Sequence, residues 1–386
     1  MTTAYASQRE LPVVLWTLGV LSSPFLVFRS GLPQPSDFLL LGAMLSLAVY
    51  NRGRFVWPKE SAGFVGFLSA FALYLGMVGL TWSALTQNVK PAIGTVFHLY
   101  NGFIALGVMA MFQRYGPRLV WVLTTMPAVA LVLELVLGML FYRHTSVRAS
   151  LTFHNPNSLA HFAVVSCATY FAVPTSMKRP LWQELGVLLV AFQLTVLSAS
   201  RGGMLALVPL AIQVGMRDQR SRTALLVAGG VGVLGATYLA PDLLEPALRR
   251  LGNLEGGRGY SRILEHPWLL VFGAGEGRSN EFRGAYAGHE IHSLPGTIFF
   301  SYGIVGSVLF MGMLWQLVLL GRSSLVLALA APMAFGLTHN IIRQTDFWVL
   351  ISLLMMRAVA SDRQRRRGTT TVTAPLQPTP AEAGAG

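Results

Sequence analysis

The chain is poor in charged residues and in cysteine. Only 12% of its 386 residues are charged, whereas a soluble protein of this length carries about a quarter. Its one cysteine, Cys167, lies in an apolar segment, which excludes a disulfide framework and argues against a thiolate metal site. The motifs G-x-x-x-x-G-K-[ST], H-E-x-x-H, C-x-x-C and D-x-D are absent, so the usual signals of P-loop ATPases and of metal-dependent enzymes are missing. We therefore expect no metal and no cofactor.

Long apolar runs are abundant instead. Hydrophobic residues make up 53% of the chain, and runs of about 18 residues recur along it. This predicts an all-α, polytopic integral membrane protein of about 12 transmembrane helices. The predicted spans are residues 11–28, 37–50, 61–82, 91–112, 119–142, 158–176, 181–198, 202–216, 223–240, 293–318, 324–337 and 346–360. We expect residues 1–360 to form one membrane domain and residues 361–386, basic and then rich in proline, threonine and alanine, to form a disordered tail.

The positions of lysine and arginine predict the orientation of these spans. If the N-terminus is cytoplasmic, the inside segments hold 17 of the 29 basic residues and the short outside loops hold 6. Such a bias predicts that both termini are cytoplasmic. Loop topology thus explains the net charge of +13 without a nucleic-acid partner. The basic tail is expected to contact anionic membrane lipids.

One outside loop, about residues 241–291, differs from the others. It holds seven of the sixteen acidic residues and six arginines, among them Arg258 and Arg262. Loops longer than about 15 residues are usually functional or disordered. The glycines, aromatics and mixed charge of this loop favour a folded lid. We expect a short helix near residues 261–270 and a turn at the following GAGEG, residues 273–277.

The stretch HSLPGTIFFSYGIVG, from His292 to Gly306, joins this loop to the next span. Ser293 is predicted to cap the helix, and Pro295 is tolerated in its first turn. The positive partial charge of a helix start favours a neutral histidine at position 292, which suits a proton acceptor, and it attracts anions. Gly303 and Gly306, three residues apart, allow a neighbouring helix to approach closely. These residues taken alone fit two interpretations. One is structural, a helix cap with a packing notch, and the other is a catalytic element.

Further polar residues are predicted on the same outer side. Asn155 and Asn157 surround a proline before the sixth span, which is typical of a capped turn. Arg201 lies in a very short loop, so it either snorkels to the interface or points into the bundle, where a charge is usually functional. His339 and Arg343 have the spacing of one helix face and are expected to face the same cavity.

These residue types suggest a chemistry. Arginine binds phosphate through bidentate, charge-assisted hydrogen bonds and stays cationic in a low dielectric. The departure of a diphosphate needs such neutralisation of charge. A histidine can take the proton of an attacking hydroxyl. Because there is no ATP outside the cytoplasmic membrane, a group donor must arrive activated, as a lipid-linked diphosphate sugar does.

Four stretches resemble, in order, motifs of the O-antigen ligase and O-antigen polymerase superfamily of bacterial envelope glycan assembly. His292 and Ser293, nine residues, then Gly303 and Gly306 match its pattern of His, Asn/Ser/Gln, nine residues, Gly, two residues and Gly/Thr/Tyr. The other three are FHNPNSLA (residues 153–160), similar to GNPN-x-LA; SASRGG (198–203), similar to an S-R-G turn; and GRGYSRILEHPWLLVFGAGEG (257–277), similar to a loop with an arginine, a short helix and a G-x-G turn. The chain departs from the family at His154, where glycine is usual.

The resemblance implies a metal-independent glycosyltransferase of the bacterial inner membrane, multi-pass, with its active site on the periplasmic face. It would transfer a glycan from undecaprenyl diphosphate to an acceptor hydroxyl. By position, Arg201 and Arg258 correspond to functional arginines of the family, expected to bind the diphosphate, and His292 corresponds to its proposed base. Secondary candidates are Arg262, His339, Arg343, Asn155 and Asn157.

Several activities share this donor chemistry. An O-antigen ligase, the first choice, uses lipid A–core as acceptor. A polymerase extends another lipid-linked repeat unit, and an oligosaccharyltransferase uses a protein. A flippase or transporter for a lipid-linked anion belongs to a different class and is expected to show an inverted repeat with broken helices, which the sequence does not display.

Overall fold

The structure is a computed structural model that describes residues 10–28, 33–141, 148–173, 179–239, 266–278, 291–321 and 323–372. Of these residues 79% are helical and none lies in a β-strand, so the predicted all-α class is confirmed. The helices in chain order are α1 (Leu11–Ser22), α2 (Pro35–Tyr50), α3 (Ala62–Thr86), α4 (Lys90–Tyr115), α5 (Pro117–Phe141), α6 (Pro156–Phe171), α7 (Leu181–Leu197), α8 (Arg201–Ala206), α9 (Val208–Gly215), α10 (Gln219–Leu239), α11 (Leu269–Phe272), α12 (Leu294–Leu320), α13 (Ser323–Gly336) and α14 (Thr345–Val372).

The described helices include four that are long and apolar enough to cross a membrane, namely α4, α12, most of α5, and α3 with the 3-10 turn before it. Large apolar side chains such as Leu73 and Met77 on α3 are about two-thirds exposed, as expected of a surface that faces lipid. The chain is therefore an all-α membrane protein. Each of the twelve predicted spans overlaps a helix, but several of these helices are shorter, and the twelve-span topology and its orientation stay predictions.

Two helices form the interior of the bundle. Every residue of α6 from Leu159 to Phe171 is buried, and so is every residue of α14 from Phe347 to Val359. A helix that is apolar all round is expected to be buried rather than amphipathic. The two helices pack on each other, α14 also packs on α4, and α6 also packs on α7 and α13. Both begin at the same end of the bundle, because His161 near the start of α6 contacts Asp346 in the first turn of α14.

The expected disorder from residue 361 is wrong in part. α14 continues to Val372, so residues 361–372 are helical. Asp362 accepts hydrogen bonds from Arg365 (3.0 Å) and Arg366 (2.8 Å) along the helix, and Arg363 pairs with Glu60. Such i,i+3 and i,i+4 ion pairs favour helix in a basic segment. Residues 373–386 lie outside the described residues, as does most of the long loop, which includes Arg258 and Arg262.

Candidate functional site

The helix α12 is interrupted at Gly303, whose φ of 64° and ψ of −162° are not helical. Only glycine adopts this region at low cost. The carbonyl oxygens of Phe300 and Ser301 lie just before the interruption and accept hydrogen bonds from another segment, from the N–H groups of Ala274 (2.8 Å) and Gly275 (3.0 Å). The segment after α11 therefore docks into a gap in the backbone hydrogen bonding of α12.

This close approach requires a glycine in each of the two segments. Gly273 has a φ of 83°, and a Cβ atom added there would collide with the Ser301 carbonyl; a Cβ atom on Gly303 would collide with the Val271 carbonyl. The expectation that Gly303 and Gly306 form a notch on a continuous helix is corrected here, because Gly303 breaks the helix. Its close neighbour is the backbone of α11, whereas Gly306 lies near Tyr74 of α3.

Two side chains of α3 hold the docked segment. The Tyr74 hydroxyl lies 3.0 Å from both the Phe272 and the Tyr302 carbonyl oxygens, and the Trp82 indole N–H donates to the Gly273 carbonyl at 3.0 Å. The predicted turn at GAGEG is present, with Gly273, Gly275 and Gly277 all at positive φ. A loop remote in sequence thus becomes a rigid part of the bundle's end.

Glu276 in this turn is buried and surrounded by polar partners. Its carboxylate lies 2.6 Å from His98 Nε2 on α4, accepts the Tyr302 hydroxyl at 2.8 Å and pairs with Arg343. Gly94, one turn before His98, leaves room for the carboxylate. Burial alone raises the pKa of the Glu276 carboxyl, but His98, Arg343 and Tyr302 together hold that pKa well below its usual range. The carboxylate is therefore charged and joins α4, α12 and the segment before α14.

We expect Glu276→Gln to destabilise the protein by about 2 kcal/mol, because the amide loses charge-assisted bonds to partners that stay buried. The matched control is Glu184→Gln, which removes a more exposed pair with Arg217 and is expected to cost about 0–1 kcal/mol. The measurement is the unfolding midpoint of the purified variants in one detergent. Equal midpoints for the two variants would contradict a stabilising role for Glu276.

A small cleft lies beside this network. Its lining includes Gly275, Glu276, Arg278, Ser301, Asn340 and Arg343. Arg278 stacks on the Trp82 ring, 3.9 Å from its centre, and donates to the Ala274 carbonyl at 3.0 Å. The backbone carbonyl of Arg343 accepts the side-chain amide of Asn101 at 3.0 Å, which anchors the 337–344 segment on α4. The cleft is built from three segments far apart in sequence.

His292 follows Ile291, which lines the cleft. Its side chain is exposed, and α12 begins directly after it. The predicted cap is confirmed: the Ser293 hydroxyl accepts the N–H of Gly296 at 3.1 Å, and Pro295 occupies the first turn. The Thr297 hydroxyl donates to the carbonyl of Ile291 at 2.8 Å, which fixes the backbone just before His292. An exposed imidazole on a rigid backbone is accessible to a substrate hydroxyl.

The Asn-Pro-Asn segment forms the predicted capped turn. Asn155 caps α6 by accepting the N–H of Asn157 at 2.8 Å. The side-chain oxygen of Asn157 accepts a hydrogen bond from Arg148 at 2.6 Å, and Arg148 Nε donates to the Ser198 carbonyl at 2.8 Å. Arg148 thereby joins the start of α6 to the end of α7. Sequence reasoning overlooked this arginine, because no motif includes it.

Arg201 is half-buried and is the first residue of α8. Ser200 caps this helix by accepting the N–H of Gly203 at 3.2 Å. Gly202 lies against the loop between α13 and α14, where an added Cβ would collide with the Thr338 hydroxyl and approach the His339 ring at 3.4 Å. The S-R-G turn therefore packs against His339.

His339 lies near both Arg148 and His292. Its ring stacks on Phe335 with the centres 4.3 Å apart. Burial, together with the nearby His161, Arg148 and His292, lowers the pKa of His339 to about 4. The imidazole of His339 is thus neutral at physiological pH. Arg148, His161 and His292 are therefore within electrostatic reach of His339.

The structure brings most of the predicted site residues to one end of the bundle. It separates His339 from Arg343, which were expected to lie together. The residues brought to one end are Asn155, Asn157, Arg201, His292 and His339. His339 and Arg343 lie on a non-helical segment, not on one helix face, and only Arg343 lines the cleft. Arg258 and Arg262 lie outside the described residues. His98 and His161 were not anticipated, because single polar residues within apolar spans carry no motif. Glu276 belongs to the predicted GAGEG turn, but its partners could not be read from that turn.

Groups of histidine, cysteine and acidic residues that suit a metal ion do not occur among the described residues. A comparison of the chain with models of protein families finds no match, and a comparison with curated proteins finds none either. The motif resemblance and the geometry around His292 therefore carry the functional assignment.

Proposed function

We propose that the chain is a membrane glycosyltransferase that moves a glycan from undecaprenyl diphosphate to an acceptor hydroxyl, with no metal or cofactor. The activity we favour is that of an O-antigen ligase, with lipid A–core as acceptor. The observation that carries the proposal is that an exposed histidine, His292, and an arginine, Arg148, lie near His339 at one end of the bundle, where Gly202, the residue after Arg201, packs against the His339 ring. Two stretches that resemble motifs of one superfamily supply His292 and Arg201, and Arg148 bonds to Asn157 of a third.

The chemistry fits these groups. The acceptor oxygen forms a bond to the anomeric carbon of the donor while the bond from that carbon to the diphosphate oxygen breaks. His292 takes the hydroxyl proton, a step typically worth about 10²–10⁴-fold in rate. The electron pair leaves with the diphosphate, and Arg201 and Arg258 stabilise its added charge through bidentate hydrogen bonds. Arg148 adds positive charge near His339.

The proposed location is the bacterial inner membrane, with both termini cytoplasmic and the site on the periplasmic face. The bias of basic residues supports this orientation. A pre-activated lipid-linked donor suits a compartment without ATP. The same site serves a polymerase equally well, because only the acceptor differs.

Reconstitution tests the proposal and separates ligase from polymerase. The purified full-length chain in liposomes receives an undecaprenyl-diphosphate glycan with either lipid A–core or a second lipid-linked unit, in the presence of EDTA. We expect product with lipid A–core and release of undecaprenyl diphosphate. Product only with the second lipid-linked unit would identify a polymerase. Transfer to neither acceptor, with movement of the donor across the bilayer, would replace the proposal by a flippase.

A further inference from the structure

The stretch PWLLVFGAG, residues 267–275, carries no charge, although the loop sequence around it, residues 241–291, holds six arginines and seven acidic residues. A short apolar run is typical either of a buried core element or of a segment that enters a membrane without crossing it. α11 occupies the middle of this run. Val271 and Phe272 on α11 are 45% and 64% exposed, so they do not belong to the protein core.

The depth of α11 follows from the two long helices beside it. α3 and α12 run antiparallel with their ends together, because Gly63 near the start of α3 lies against Gln316 near the end of α12. The Phe272 carbonyl contacts Tyr74, which lies midway along the 25 residues of α3. Gly303, against which α11 packs, is nine residues after the start of α12, about 13 Å along the helix axis. Both measures place α11 well below the helix ends.

A position at this depth lies inside the membrane. α3 and α12 are both long and apolar enough to cross a bilayer, whose hydrocarbon core is about 30 Å thick. Leu73, next to Tyr74 on α3, is 65% exposed, and Ile304, next to Gly303 on α12, is 48% exposed. The exposed apolar side chains of α11 therefore lie in the same region as lipid-facing side chains of both neighbours.

The backbone of the segment also meets the requirement for this depth. A non-helical backbone lies within a membrane only where protein partners satisfy its polar groups. The Gly273 carbonyl accepts the Trp82 indole N–H, and the Gly273 N–H donates to the Leu269 carbonyl at 2.7 Å. The N–H groups of Ala274 and Gly275 donate to carbonyls of α12. The polar backbone is thus paired with protein, while the exposed side chains are apolar.

We propose that residues 267–275 form an intramembrane segment whose exposed side chains, Val271 and Phe272, contact the hydrocarbon chains of membrane lipids. Gly277 lies against Lys90, the first residue of α4, so the chain returns from the middle of α3 to the helix ends over a few residues. The predicted outer loop is then interrupted by a part that lies in lipid. This inference does not depend on the proposed glycan transfer.

Site-directed spin labelling of the full-length chain in liposomes tests the contact. The variants are Phe272→Cys and Val271→Cys, which replace exposed side chains and keep the backbone groups that dock the segment. The wild type is the labelling blank, because its one cysteine, Cys167, is buried. Leu73→Cys is the reference for lipid, and Gln219→Cys, exposed at the charged start of α10, is the reference for water. The collision rates of each label with oxygen, which partitions into lipid, and with a water-soluble nickel chelate are measured.

We expect the labels at positions 271 and 272 to give the oxygen-to-nickel ratio of position 73, several-fold higher than that of position 219. Unfolding midpoints at the wild-type value would confirm that the labelled variants keep the fold. A ratio equal to that of position 219 would place the segment in water and overturn the proposal. Low collision rates with both probes would overturn it as well, because protein would then cover this face; spin–spin broadening in a singly labelled chain would identify that protein as a second copy.

Discussion

Replacing His292 by alanine is expected to abolish most glycan transfer while the protein still folds and inserts. The imidazole is exposed and lies before the cap of α12, so its removal leaves no cavity and breaks no buried contact. Loss of a general base typically costs about 10²–10⁴-fold in rate. The measurement is kcat for transfer by the purified variant in liposomes, alongside its unfolding midpoint.

The matched control for this variant is His154→Ala. His154 is likewise exposed, and its imidazole contacts the Phe28 carbonyl at 3.1 Å. We expect it to retain wild-type kcat. Added imidazole should restore part of the activity of His292→Ala, since a free base can occupy the space of the missing side chain. Wild-type kcat in His292→Ala would remove His292 from the mechanism, and loss of activity with a lowered midpoint would indicate a structural role.

Replacing Gly303 by alanine is expected to cause the largest loss of stability. Alanine at this φ and ψ costs about 1–3 kcal/mol of strain. Its Cβ atom would also collide with the Val271 carbonyl and lie 2.7 Å from the Leu270 carbonyl, so α11 must move. That movement breaks the hydrogen bonds of Ala274 and Gly275 to α12, and the total is about 4 kcal/mol.

Gly66→Ala is the control for the glycine. Gly66 lies within α3, and an added Cβ atom there has open space. Alanine favours helix over glycine, so this variant is expected to be as stable as the wild type or more stable by up to about 1 kcal/mol. Unfolding midpoints in detergent compare the two variants. A midpoint for Gly303→Ala equal to that of Gly66→Ala would show that the break in α12 is not required.

Hydropathy predicted the helical elements well. Overlap between each predicted span and a helix follows from local pattern, because apolar runs of this length have few alternatives to helix. The caps at Asn155 and Ser293 were also local, since a side-chain oxygen and an N–H two or three residues later suffice. The tail between residues 361 and 372 was predicted wrongly, because composition did not reveal the ion pairs of Asp362 along the helix.

The residues of the candidate site were likewise predicted only where they belong to a local pattern. Motif resemblance selected Arg201, His292 and the asparagines, each of which belongs to a short stretch with its own pattern. Motif resemblance did not reveal the roles of Arg148 and Glu276, because their partners lie on other elements. Glu276 contacts residues that are 67 and 178 positions away in the sequence. The prediction that His339 and Arg343 share a helix face was wrong. Their spacing is that of a helix, but the chain turns at this place, between α13 and α14.

The sequence by itself determined that this is an all-α membrane protein with its polar residues concentrated in a few segments, because long apolar runs and helix caps are properties of neighbouring residues. Only the tertiary structure decided that Gly303 breaks α12, that the GAGEG turn closes the gap, and that Glu276 pairs with Arg343 and His98. These features depend on backbone groups paired across long separations, and no local pattern specifies which distant carbonyl an N–H will reach.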